Sequence, residues 1–171
     1  MKRLLAFTPL IALALLAVLF AGYSLKRNPE IQTAALVGRP MPDVTLPRLE
    51  TGQPVAIRQA STGPLLVNVY ASWCAPCELE APALMRLKTQ GVTIIGIGYK
   101  DAPENNLAFL GRVGDPFAVH LLDRDGRAGL EFGVTGVPES FLVDARGTIT
   151  AKYTGELTPA EELEIIAATQ R

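Results

Sequence analysis

The sequence predicts an α/β fold, a central mixed sheet with helices on both faces, carried behind an N-terminal apolar helix. Three observations predict it. Strand-like and helix-like apolar patterns alternate from about residue 65 to residue 168. The only two cysteines of the 171-residue chain sit together where the first of these strands gives way to a helix. Residues 4–25 contain no charged side chain at all.

The apolar stretch Leu4–Leu25 is bracketed by Lys2-Arg3 and Lys26-Arg27. As a helix its 22 residues rise about 33 Å, enough for a hydrocarbon core of about 30 Å. A cleavable signal peptide is the competing reading. Its apolar core normally runs ~7–15 residues and ends in an A-x-A-like site, and neither condition is clearly met. Residues 1–27 are therefore expected to be an uncleaved membrane anchor, 28–37 a tether and 38–171 one folded domain. Two basic residues on each side leave the orientation open by charge alone. Without those four, 12 of the chain's 16 basic residues face 17 acidic ones, a net charge of −5 that argues against nucleic acid as a partner.

Gly38-Arg39-Pro40-Met41-Pro42 leads into the strand-like Asp43–Leu46. Leu65–Tyr70 is a short apolar run with β-formers and reads as a buried central strand. Leu79, Ala83, Leu84 and Leu87 recur at helical spacing, predicting a helix over Glu78–Gln90 with Pro82 inside it. Val92–Tyr99 reads as the next buried strand, Asn105–Val113 as a helix closed by Gly114-Asp115-Pro116, and His120 as part of a further strand. Ser140–Val143 and Thr148–Tyr153 flank the turn Asp144-Ala145-Arg146-Gly147 as a hairpin. Thr158, with Glu161 behind it, opens a helix running to about Ala168.

The motif Trp73-Cys74-Ala75-Pro76-Cys77 carries the chemistry. Two intervening residues let the sulfurs close a small disulfide ring that an external thiol can still attack. At a helix N-terminus, unpaired N–H groups and the macrodipole stabilise a thiolate, lowering the thiol pKa from about 8.5 into the range ~3.5–7.5. Cys74, nearest the exposed turn, is the expected attacking thiol; Cys77, one turn into the helix and more buried, is the resolving one. A zinc site needs roughly four ligands, and two cysteines plus the lone His120 supply three, so no metal is expected.

A strand, then W-C-x-P-C, then a proline five residues after the second cysteine resemble the thioredoxin superfamily. Three stretches together resemble the CcmG/DsbE family: Trp73–Glu80, Gly98-Tyr99-Lys100-Asp101 and Gly133–Phe141. Members are membrane-tethered thiol:disulfide interchange proteins of cytochrome c maturation. The resemblance covers Val37 to the C-terminus and includes Asp123–Leu130. It implies a thioredoxin-like fold with an N-terminal β extension and a cis Val137–Pro138 bond beside the C-x-x-C. Trp73, Ala75, Pro76, Val137 and Pro138 become candidate substrate-binding residues, the Val137 backbone meeting a substrate strand. Asn68 stands where thioredoxin holds a buried Asp, so Glu80 and Glu139 become the candidate acid/base residues. Lys100 and Asp101 read equally as a weak rim ion pair.

What the resemblance implies for function is a reductant of the C-x-x-C-H disulfide of apocytochrome c, or of a partner holding it. Re-reduction would come from a membrane electron donor of the DsbD/CcdA type, with no metal or organic cofactor. The expected location is the bacterial inner membrane, with the globular domain on the periplasmic side. Two other readings stay open. One is a TlpA/ResA-like thioredoxin with other clients, or a peroxiredoxin-like reductase, although the characteristic P-x-x-x-T/S-x-x-C is missing. The other is a non-enzymatic apocytochrome-binding module.

Overall fold

The computed structural model describes residues 8–24, 36–60 and 62–170, in two compact units divided after Gln32. The first unit contributes α1 (Thr8–Ser24), 17 residues long. Leu13, Leu15, Leu16, Val18, Leu19 and Phe20 are all exposed, so apolar side chains surround the helix instead of forming one stripe. Among the described residues no helix is long and apolar enough to cross a membrane. The remaining ends of the expected anchor, residues 1–7 and 25–27, and most of the tether, residues 28–35, lie outside the described residues.

The second unit runs β1 (Thr45–Pro47), β2 (Pro54–Ala56), a 3-10 turn (Ile57–Gln59), β3 (Leu65–Tyr70), α2 (Ala75–Thr89), β4 (Ile94–Tyr99), α3 (Pro103–Val113), β5 (Val119–Asp123), α4 (Arg127–Glu131), β6 (Glu139–Val143), β7 (Ile149–Thr154) and α5 (Pro159–Thr169). The main sheet has the order β5-β4-β3-β6-β7. Strands β3, β4 and β5 are parallel, β6 is antiparallel to β3, and β7 to β6. This is the mixed α/β architecture of a thioredoxin-like fold. β1 and β2 form a separate two-stranded antiparallel ribbon.

Side chains of β3 alternate between the two faces, as the period of a strand requires. Leu66 and Tyr70 enter one core with Leu84 and Leu87 of α2, Phe109 of α3 and Ile165 of α5. Leu65, Val67 and Val69 enter the other with Leu46, Ile57 and Phe132. Asn68 therefore faces the α2 side, fully buried and in register with Gly96 of β4 and Ser140 of β6.

Several elements start or end elsewhere than expected. Helix α2 begins at Ala75, three residues before the expected Glu78, because Cys74 caps it and Pro76 fits its first turn. The predicted strand Asp43–Leu46 is shifted to Thr45–Pro47, where pairing with β2 decides its limits. The capping box of Thr158 and Glu161 forms as expected.

A β-carbon on Gly96 would lie 2.7 Å from the Phe117 ring, which is itself buried and stacked on Tyr70 at 4.8 Å. Gly96→Ala is therefore expected to destabilise the domain by about 1–3 kcal/mol, read as a lower midpoint in urea denaturation.

Candidate active site

Strand β3 delivers the chain to Ala71-Ser72-Trp73, and the loop is held before the motif begins. Asp101, at the end of β4, accepts from the Ser72 N–H through Oδ2 at 2.6 Å and from the Ala102 N–H through Oδ1 at 2.8 Å. The expected Lys100–Asp101 ion pair is not what this acid makes. Its carboxylate faces backbone donors, while the Lys100 ammonium sits 5.1 Å over the Tyr99 ring. Lys100 adopts a left-handed φ of 48°, and its carbonyl accepts from the Trp73 indole N–H at 3.4 Å. Asp123 accepts from the N–H groups of Ala128 and Gly129, fixing the turn beside Lys100, whose own N–H donates to the Asp123 carbonyl.

Cys74 is the N-cap of α2 and is disulfide-bonded to Cys77, with 5.3 Å between the Cα atoms. Its Sγ accepts from the Cys77 N–H at 3.1 Å. On the other side, Sγ lies 3.4 Å from the carbonyl oxygen of Val137, and the Val137–Pro138 bond is cis. Both cysteines are nearly closed off, 5 % exposed for Cys74 and 3 % for Cys77. The expected contrast in exposure is thus almost absent, because the 133–138 loop covers Cys74. What separates the two thiols is position: Cys74 Sγ receives the helix-end N–H, while Cys77 lies inside the first turn. Trp73, by contrast, is 60 % exposed, and Ala75 and Pro76 are exposed beside it. Val137 is half-buried and Pro138 buried.

Three residues beyond Cys77, Glu80 is 2 % exposed. Asn68 Nδ2 donates to its Oε2 at 2.9 Å and also to Ser140 Oγ at 2.9 Å. Loss of hydration pushes the Glu80 pKa up from 4.5 to about 7, against the opposing pull of the Asn68 and Leu157 hydrogen bonds. A group poised there exchanges protons at neutral pH. Glu139 is placed differently. It is fully buried, paired with Lys152 at 2.9 Å, and accepts from the N–H and hydroxyl of Thr135.

A redox-closed C-x-x-C at a helix N-terminus, faced by a proline loop, decides the comparison. The redoxin family model matches residues 36–168. Thiol:disulfide interchange protein DsbE of Allochromatium vinosum is 43 % identical over 169 residues, covering 95 % of this chain and 92 % of that one. HelX, a thiol:disulfide interchange protein of Rhodobacter capsulatus, is 38 % identical over 161 residues, covering 92 % and 90 %.

The chain belongs to the redoxin family, among the DsbE-type thiol:disulfide interchange proteins.

The fold of this redoxin agrees with that assignment. A crystal structure from Chlorobium tepidum, described as a thiol:disulfide interchange protein DsbE, superposes with a TM-score of 0.67 at 26 % identity, covering 79 % of this chain and 98 % of that one. The domain is thus a thiol-disulfide oxidoreductase, and the purely binding alternative falls away. His120, the lone histidine, has both ring nitrogens taken by carboxylates: Nε2 meets Asp115 at 2.8 Å and Nδ1 meets Glu50. Sequence reading missed Asp101, Asp123, Thr135 and Lys152. Asp101, read there only as half of a rim ion pair, Asp123 and Thr135 all lay inside motifs already singled out, whereas Lys152 lay in none of the three stretches that carry the resemblance.

Proposed function

We infer that the protein is a membrane-anchored periplasmic reductant acting in cytochrome c maturation. The observation that carries the exchange mechanism is the pairing of Cys74 Sγ with the α2 N-terminus while Glu80, raised to about 7, is buried three residues beyond Cys77. The all-round apolar α1 supports the anchor, since a helix apolar on every side belongs in an apolar surround. The likeness to DsbE and HelX supports the pathway.

In the reduced protein, the Cys74 thiolate attacks one sulfur of a client disulfide, and the other client sulfur leaves as thiolate. Cys77 then gives its proton to the Glu80 carboxylate and attacks Cys74, releasing the second client thiolate. Two electrons reach the client as its two thiolates, which take up one proton from solvent and the one that Cys77 released through Glu80, and Cys74–Cys77 is left oxidised. The C-x-x-C-H disulfide of apocytochrome c, or of a partner holding it, is the proposed client. A membrane dithiol donor of the DsbD/CcdA type restores the thiols. Glu139, neutralised by Lys152, supports the loop rather than carrying the proton.

The expected equilibrium potential of the Cys74–Cys77 pair, measured on the full chain in detergent against a glutathione series, lies well below the about −120 mV of the oxidant DsbA. A value near that figure would reverse the assigned direction of electron flow.

A further inference from the structure

The loop facing Cys74 is held from behind by one buried charge pair. Glu139, at the start of β6, has a side chain 0 % exposed, and Lys152, on β7, has one 4 % exposed. Lys152 Nζ lies 2.9 Å from Glu139 Oε2 as an ion pair, off the direction of a hydrogen bond. The aligned hydrogen bond of that ammonium is donated to the Gly133 carbonyl, at 2.9 Å. Glu139 Oε1 meanwhile accepts from the Thr135 N–H at 3.2 Å and from its hydroxyl at 2.6 Å. The loop is therefore tied at Gly133 and at Thr135. Two residues later comes Val137, whose carbonyl oxygen stands 3.4 Å from Cys74 Sγ.

We propose that Lys152 is a positioning residue for disulfide exchange: through Gly133, Glu139 and Thr135 it holds the Val137 carbonyl against Cys74 and so makes the dithiol a better reductant. The proposal rests on Cys74 being the attacking thiol. A carbonyl oxygen welcomes a thiol S–H and repels a thiolate, so it opposes the stabilisation that the helix end and the Cys77 N–H supply. Stabilising the reduced form makes a dithiol-disulfide protein a stronger oxidant, as in DsbA. A carbonyl pressed against the thiolate works the other way. Neither an exposed lysine nor a merely structural ion pair would bear on that balance.

The test compares full-length protein with Lys152→Met/Glu139→Gln, which removes both charges and leaves no unpaired buried one, with Thr135→Val, and with Lys152→Arg. Each is equilibrated with reduced and oxidised glutathione, protein disulfide plus two glutathione thiols giving protein dithiol plus glutathione disulfide. The double variant is expected to shift this equilibrium about tenfold toward the dithiol, roughly 30 mV. Thr135→Val, in which no charge changes, is expected to shift it about threefold the same way, with Lys152→Arg closer to wild type than either. Iodoacetamide alkylation at neutral pH, located by peptide mapping, is expected at Cys74 and faster in the shifted variants. An unchanged equilibrium in folded Thr135→Val and in the double variant, or a shift toward the disulfide, with Cys74 still the alkylated thiol, overturns the proposal alone. Alkylation at Cys77 in the wild type overturns the assignment beneath it, and the proposal with it.

Discussion

Cys74→Ser is expected to abolish disulfide reduction, whereas Cys77→Ser is expected to halt it at a stable mixed disulfide. Serine forms no disulfide and holds its proton at neutral pH, so its hydroxyl replaces neither the nucleophile nor the leaving group. Cys74 Sγ is the sulfur at the N-cap of α2, receiving the Cys77 N–H, and it lies beside exposed Trp73, Ala75 and Pro76. Cys77 lies inside the first turn of α2, behind Cys74 at the helix end, and this position, not its exposure, assigns it the intramolecular attack. Turnover on a peptide containing a C-x-x-C-H disulfide should fall on the order of 10³-fold or more in either variant. The two losses differ in what accumulates. Acid quenching and mass spectrometry should find the client covalently bound to Cys74 in Cys77→Ser and no such adduct in Cys74→Ser. An adduct in Cys74→Ser, with none in Cys77→Ser, would exchange the two roles.

The motif, and the strand and helix on either side of it, were legible because each is local. Leu65–Tyr70 has the right residues for a buried strand whatever surrounds it, and the Thr158–Glu161 capping box closes within one turn. Elements decided by partners were not legible. β2 is three residues long and exists by pairing with β1, and α4 is a five-residue helix whose start is fixed by the Asp123 carboxylate. The same distinction runs through the site. Glu80 and Glu139 stand at similar positions in the motifs, yet one is a desolvated acid and the other half of an ion pair. Both are buried, and the difference lies in the partner, the neutral Asn68 of β3 for Glu80 and the charged Lys152 of β7 for Glu139, 12 and 13 residues away. Burial of Cys74 was missed for the same reason, since its cover is a loop 63 residues along the chain.

Glu80→Gln is expected to give a more stable and slower enzyme, and pH separates the two effects. Burial raises the Glu80 pKa from 4.5 to about 7 in the folded protein. Below about pH 4.5 the carboxyl is protonated in both the folded and unfolded chain and has no effect on stability. As pH rises toward 7 the unfolded chain releases the proton while the folded protein retains it, so stability declines by about 1.4 kcal/mol per unit. Above about pH 7 the folded carboxyl ionises too, and the loss levels off near about 3 kcal/mol. Glutamine keeps the acceptor for Asn68 Nδ2 and never ionises. Its advantage over wild type in urea denaturation should be absent at low pH, grow from about pH 4.5 to 7, and stay constant beyond. Catalysis moves the other way, because without the carboxylate Cys77 loses its proton acceptor. Resolution of the Cys74 mixed disulfide should then slow by about 10²-fold or more, with formation of that disulfide little changed. Equal stability of the two proteins at about pH 8 would show Glu80 to be hydrated and ionised in the fold. A stabilised variant with unaltered resolution would leave it a buried acid with no part in the proton transfer.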